Sequence, residues 1–272
     1  MEPDLTVLIP TFNEEENIRE CLESVSWAPK IFIVDSFSTD RTLDIAGEFT
    51  DNIVRHEYVN SAAQKNWALD KIDTEWVLIV DSDERVTPGL REEILSTLAS
   101  PRHDGYHIRR VNHFLGRRIR HCGWQRDRVL RLFRTSRGRY ENKAVHAEVQ
   151  LNGTAGRLKE PLIHYPYRTL SQSFEKMSRY TTWAAQDLAG AGVKPTRLKM
   201  LAKPAARFFR QYVLEGGYLD GVPGLILSTF SAVGVFAKYA KLWEQNGKSS
   251  ETDNLKSAIR NQKSEIESGG AV

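Results

Sequence analysis

Two carboxylates two residues apart, Asp81 and Asp83, follow the apolar run Trp76-Val-Leu-Ile-Val80, and Glu84 comes next. Such a run reads as a buried strand, so the acids arrive at its carboxyl end, and alternation would turn Asp81 and Asp83 to one side. Hard oxygen ligands with open positions suit Mg2+ or Mn2+, which take few protein carboxylates and share substrate phosphates. The competing use is structural: Asp83 or Glu84 can cap the turn before the helix that Pro88 opens. A further acid, Asp35, closes a second apolar run and precedes Ser36, Ser38, Thr39, Asp40 and Thr42. Its carboxylate can accept hydrogen bonds from a base or ribose, although residues from Ser38 to Thr42 are also the types that cap helices without any ligand. Asn13 and Glu14 carry the same ambiguity, as an N-cap and as a partner of a helix dipole.

These residues need elements that deliver them to one place. Apolar runs at Thr6 to Ile9, Ile31 to Val34, Ile53 to Val54 and Trp76 to Val80 read as buried strands. Helical patterns lie between and after them, at Glu14 to Val25, Thr42 to Phe49, Ala62 to Asp70 and Gly89 to Leu98. That alternation predicts a doubly wound α/β unit with a mostly parallel sheet. Ligands of such sheets bind beyond the carboxyl ends of the strands, where Pro10, Thr11, Asn13, Asp35 and Asp81-Ser82-Asp83 fall. From Gly105 to about Tyr165 the pieces are short and β-like, at His107 to Arg110, Val129 to Phe133, Val145 to Leu151 and Leu162 to Tyr165. They extend the sheet. Helical patterns return at Ser171 to Leu188 and Leu198 to Leu214, followed by an apolar stretch to Trp243. From Gly247 the chain is polar, with a weak helix over Leu255 to Ile266.

Length and composition narrow the classes. A chain of 272 residues with 40% hydrophobic content can bury a large core, which excludes a disordered chain. Cys21 and Cys122 form neither a disulfide framework nor a metal cluster, so free thiols in a reducing cytoplasm are expected. No basic leader precedes the first strand. Val222 to Phe236 is shorter than the roughly 20 residues of a spanning helix, so it is expected to lie on a surface. Lys194, Arg197, Lys199, Lys203, Arg207 and Arg210 surround Phe208, Phe209 and Tyr212, a mixture suited to an anionic leaflet; packing against the rest of the protein is the alternative. Neither a dinucleotide fingerprint nor a Walker loop is present, which removes dehydrogenase and P-loop kinase readings.

Three segments in order carry a family resemblance: Ile9-Pro10-Thr11-Phe12-Asn13-Glu14, Val34-Asp35-Ser36 with Ser38-Thr39-Asp40, and Val80-Asp81-Ser82-Asp83. Together they resemble the inverting family 2 glycosyltransferases of the GT-A fold. The resemblance implies a nucleoside pocket lined by Pro10, Thr11, Glu14 and Asp35, with Asp81 and Asp83 flanking diphosphate and metal. Gln64-Lys65-Asn66 looks like the family segment near the donor, which makes Lys65 a phosphate contact, with a solvated helix face as its alternative. The stretch Gly123-Trp124 to Arg134, Val145-His146-Ala147-Glu148 and His164-Tyr165 resembles the branch of lipopolysaccharide inner-core glucosyltransferases. That branch places Glu directly after His, whereas Ala147 intervenes here. The implied boundaries are a GT-A catalytic domain over 1–168, divided into a nucleotide-sugar half (1–100) and an acceptor half (101–168). A helical membrane-surface appendage (169–246) and a disordered polar tail (247–272) would follow.

An inverting transfer needs a carboxylate to take the acceptor proton while cationic groups meet the departing diphosphate. Asp127 is the candidate base, the only acid among eleven arginines from Arg109 to Arg139. Pairing with Arg126 or Arg128 is its structural alternative, and Glu141 and Glu148 remain rival bases. His146 can complete the metal shell or hold the diphosphate. The arginines suit an anionic glycolipid acceptor, and no nucleic-acid motif surrounds them. The expected enzyme uses Mg2+ or Mn2+ and a donor such as UDP-glucose, at the cytoplasmic face of the inner membrane. Rivals are a polyprenyl-phosphate sugar transferase, a nucleotidyltransferase and a nucleic-acid-binding module, though the nucleotidyltransferase would be expected to carry glycine in the loop from Pro10 to Glu14.

Overall fold

Strands form where the apolar runs were read, and a computed structural model, describing residues 3–141 and 147–269, shows how they join. The strands are β1 (Leu5–Thr11), β2 (Lys30–Asp35), β3 (Ile53–Arg55), β4 (Trp76–Ile79), β5 (Glu84–Val86), β6 (Gly105–Phe114), β7 (Arg117–Arg118), β8 (Arg128–Arg134), β9 (Gly138–Tyr140), β10 (Val149–Leu151) and β11 (Ala155–Tyr167). The helices are α1 (Ile18–Val25), α2 (Thr42–Ala46), α3 (Ser61–Leu69), α4 (Pro88–Ala99), α5 (Leu170–Gly190), α6 (Arg197–Phe209) and α7 (Gly221–Gly269). The main sheet runs β3-β2-β1-β4-β8-β6-β11-β5, with β7 paired to β6, and β9 and β10 form a separate ribbon.

The first four strands are parallel, as the β-α repeat demands. Then β8 enters antiparallel between β4 and β6, and β11 lies parallel to β6. The fold is thus α/β and GT-A-like, with a mostly parallel sheet covered on both faces. One apolar layer joins Leu5, Val7 and Ile9 to α1 and α4 through Ile18, Leu22, Leu90 and Ile94; the other joins Leu8, Ile79 and Phe133 to Ala68 and Leu69 of α3.

Three short strands, β5, β7 and β9, add to the expected set. Helix α1 begins at Ile18 rather than Glu14, because Asn17 and Ile18 donate to the Glu14 carbonyl in a preceding turn. Of the expected strand from Val145 to Leu151, β10 forms over its last three residues; Val145 and His146 lie outside the described residues.

The C-terminal helices form as expected. Thr169 and Gln172 make a capping box that starts α5. After α6 a π turn (Arg210–Leu214) and Gly216, with φ of 72°, reverse the chain into α7. Leu227 of α7 packs on Phe114, Ile119 and Cys122, while Tyr239 and Leu242 meet Ala185 of α5. Asp220 accepts from the Arg120 and His121 amides at 3.0 and 2.8 Å, a clasp between the appendage and the sheet. Both cysteines are free and buried. The polar segment read as a tail continues α7 to Gly269 in the backbone, consistent with its many good helix formers. The stretch Gly217–Asn246 is long and apolar enough to cross a membrane by length and composition, with 17% of its apolar window buried inside the protein.

Leu227→Ala is expected to cost about 2–4 kcal/mol in urea unfolding, because a buried leucine leaves a cavity. Leu219→Ala, at an exposed position, should stay within about 0.5 kcal/mol.

Candidate functional site

The carboxylates after β4 sit in a tight turn. Glu84 N–H donates to the Asp81 carbonyl at 2.8 Å, so β4 reverses into β5 within four residues. Strand alternation therefore does not extend to Asp83, and the two aspartates meet different partners instead of sharing one set. Neither Asp83 nor Glu84 caps α4; Thr87 does, accepting from Leu90 N–H at 3.2 Å.

Asp81 pairs with Lys65 at 2.8 Å through one oxygen and with Arg131 through the other. Burial opposes its ionisation, but Arg131 and Lys65 outweigh that and hold its pKa far below the carboxylate range. Lys65 is buried rather than solvated. Desolvation would lower its pKa, yet Asp81 raises it. Glu84 has no exposed surface; it accepts from Arg131 at 2.7 Å, from Arg110 at 3.3 Å and from the Asp81 amide at 3.0 Å. Arg131 Nε is buried without a hydrogen-bond partner among the described residues.

Asp83 faces His164 Nε2 and Lys176 Nζ, each at 3.6 Å. Burial opposes its charge too, but His164 and Lys176 bring its pKa down to about 2. Glu14 stands close by, its pKa raised by burial and by the Asp83 charge.

Asp127 does not pair with Arg126 or Arg128. Arg110 forks onto both of its oxygens at 2.9 Å, and Asn112 Nδ2 donates to it at 2.9 Å. That bond fixes the Asn112 amide, whose Oδ1 lies 2.6 Å from His164 Nδ1 and accepts its proton. His164 Nδ1 is thereby occupied, and its Nε2 is turned toward the Asp83 carboxylate. The Asp83 carboxylate is a hard oxygen donor of the kind Mg2+ or Mn2+ takes alongside water and phosphate, and His164 Nε2 stands where a second ligand would. No cluster of three or more potential protein ligands occurs among the described residues.

The other expected residues lie on the same rim. Asp35 is buried and accepts from Ser38 Oγ at 2.5 Å and Ser38 N–H at 2.9 Å. Thr42 Oγ1 and Asp40 accept from the Glu14 and Glu15 amides at 2.8 and 3.1 Å, and Asn13 Oδ1 accepts from Thr39 N–H at 2.8 Å. This cluster ties the loop after β1 to the loop after β2, and Asp40 also accepts from the Thr42 N–H that opens α2, at 3.0 Å. Pro10 accepts from Ser82 Oγ at 2.9 Å, and Thr11 Oγ1 is buried without a hydrogen-bond partner among the described residues. Glu148 is exposed and Glu141 half-buried beside the β9–β10 ribbon, while His146 falls outside the described residues. The arginines divide. Arg110 and Arg131 belong to the site, whereas Arg117, Arg118, Arg120, Arg126 and Arg128 are exposed around the loop that leads to Asp127.

The sequence does not single out Arg110, Asn112, Arg131 or Lys176, and Glu84 enters it only as a cap of the turn before α4. The acid after the Asp-x-Asp pair was the one available signal, since a third carboxylate at a buried strand end requires cations from elsewhere.

The carboxylate turn, lined by buried cations, lies at the rim of a GT-A-like sheet. The chain belongs to glycosyl transferase family 2, whose model matches residues 6–163. The lipopolysaccharide core biosynthesis glycosyltransferase LpsC of Rhizobium meliloti is 28% identical over 250 residues, 89% of this chain and 93% of that protein. An uncharacterized glycosyltransferase of Rickettsia bellii is 25% identical over 257 residues, covering 88% of this chain and 86% of its own. Among solved structures, S. aureus TarS 1-349 in complex with UDP-GlcNAc is 16% identical, with a TM-score of 0.49 and 92% of each chain covered.

Because the folded-state pKa of Asp83 is depressed, its ionised form stabilises the fold above about pH 4, and that contribution is lost as pH falls to about 2. In chelator, Asp83→Asn should flatten this part of the stability profile measured by urea unfolding; an unchanged slope would contradict the assigned ion pairs.

Proposed function

We propose that the enzyme is a metal-dependent inverting hexosyltransferase that uses a nucleotide sugar, UDP-glucose by preference, to extend an anionic glycolipid such as a lipopolysaccharide inner core. The observation behind this reading is a continuous set of contacts from the donor-side turn to the candidate base. Asp81 joins Arg131, Arg131 joins Glu84, Glu84 joins Arg110, and Arg110 joins Asp127. The name of the R. meliloti relative supports lipopolysaccharide core as the acceptor class.

In this reading Pro10, Thr11, Glu14 and Asp35 line the nucleoside pocket. Asp81 keeps Lys65 and Arg131 charged and oriented, so that donor phosphates meet fixed cations. Asp83, with Asp81 beside it and His164 as a second donor, would hold Mg2+ or Mn2+, which neutralises charge on the leaving diphosphate. His146 is retained as a further candidate ligand. The acceptor hydroxyl attacks the anomeric carbon in line and passes its proton to Asp127, while the bond to the diphosphate breaks. Arg110 and Asn112 hold the Asp127 carboxylate in position. The exposed arginines from Arg117 to Arg128 are the acceptor's anion contacts.

The appendage over 169–246 is proposed to rest on the cytoplasmic face of the inner membrane. Leu198, Leu201, Phe209 and Leu214 are exposed beside the basic residues of α6. An acceptor phosphate, as in a polyprenyl-phosphate transferase, would need no base, and the three hydrogen bonds already made to Asp127 are compatible with that second reading.

Calorimetry with UDP and Mn2+ is expected to show metal-dependent binding that the Asp81→Ala, Asp83→Ala double variant loses. Asp127→Asn should keep donor binding and lose about a hundredfold or more in turnover; unchanged turnover would favour a phosphate acceptor. With Lys199, Lys203 and Arg207 all changed to Glu, sedimentation with phosphatidylglycerol vesicles should drop sharply, and undiminished binding would remove the membrane surface from this face.

A further inference from the structure

Lys65, Arg131 and Arg110 are each committed to a carboxylate partner: Lys65 to Asp81 at 2.8 Å, Arg131 to Glu84 at 2.7 Å, Arg110 to Asp127 at 2.9 Å. Lys176 is held more loosely. Its ammonium pairs with Asp83 Oδ2 at 3.6 Å, beyond hydrogen-bond range, and its hydrogen bond goes to the Pro166 carbonyl at 3.1 Å. A cation paired through no hydrogen bond to its acid can turn to a phosphate at less cost than Lys65, Arg131 or Arg110.

Its position is fixed from both sides. Arg168, just ahead of α5, donates to Asn17 Oδ1 at 2.7 Å, and Gln172 donates to Glu16 Oε2 at 3.2 Å. Gln172 and Lys176 are four residues apart, so they share the helix face that looks onto the loop after β1. The Tyr167 ring lies 5.6 Å from the Lys176 ammonium and walls it toward the carboxylate turn.

We propose that Lys176 is a donor-site residue contributed by the C-terminal helices, whose ammonium binds the diphosphate of the nucleotide sugar and remains on it through transfer. The inference rests on the nucleotide-sugar reading above. As the acceptor oxygen bonds to the anomeric carbon, the carbon–oxygen bond to the diphosphate breaks and its electron pair stays on the diphosphate. Lys176 meets that added charge while the acceptor proton goes to Asp127. The appendage is then a part of the active site as well as a docking element.

The test is calorimetric titration, in the presence of Mn2+, of the full-length wild type, Lys176→Ala and Lys176→Arg with UDP and GDP, and with uridine and guanosine. Lys176→Ala is expected to weaken diphosphate binding about tenfold or more, as for a lost charge-assisted contact, and to leave nucleoside binding unchanged. Lys176→Arg should restore most of the affinity. A diphosphate loss under about threefold, an equal loss for nucleoside and diphosphate, or no recovery with arginine would each overturn the proposal. If the wild type binds neither UDP nor GDP, the nucleotide-sugar reading itself falls and takes this inference with it.

Discussion

Glu84 is a carboxylate with no access to solvent, and the site is organised around its hydrogen-bond partners. Two guanidiniums, Arg131 and Arg110, and the Asp81 amide supply its compensation. Breaking a buried pair from one side generally costs about 3–5 kcal/mol, so such a group dictates where its partners stand. Arg131 must come from β8 and Arg110 from β6, strands that belong to the second half of the sheet. Because Arg131 also holds Asp81 and Arg110 also holds Asp127, one buried charge positions both ends of the candidate site.

A second chain of contacts runs through Asn112 and His164. Asp127 orients Asn112, Asn112 orients His164, and His164 faces Asp83. The turn between β4 and β5 separates Asp81 from Asp83, so each aspartate terminates one of the two chains. A division of work follows, with Asp81 surrounded by committed cations and Asp83 left with looser, longer contacts that leave room for another ion.

Much of the fold was legible in the sequence. Strands β1, β2 and β4 are apolar runs, α5 and α6 have periodic faces, and both signals are local. The strand β5 was not legible, because Glu84-Arg85-Val86 contains two charged residues and reads as a loop. It is a buried strand only because Arg85 reaches Glu20 and Asn17 while Glu84 reaches two arginines far along the chain. The candidate site was legible where it is carried by motif residues, such as Asp81, Asp83 and Lys65. Arg131 is one of many arginines in the chain, and nothing local distinguishes the one that burial selects. The partner of Asp127 was sought at its neighbours, whereas strand pairing brings Arg110 to it.

The insertion of β8 between β4 and β6 has a dynamic consequence. It is bonded to both, with Leu78 opposite Leu132 on one side and Ile108 opposite Val129 on the other. The two halves of the catalytic unit are thus stitched into one continuous sheet and cannot swing apart as hinged lobes. A ligand at the rim therefore meets strands that hold one another in place, and only segments outside the sheet, such as the loop 56–60, escape that constraint. Loops in general move in nanoseconds to microseconds and hinged lobes in microseconds to milliseconds, so a sheet stitched in this way removes the slower class of motion from the frame.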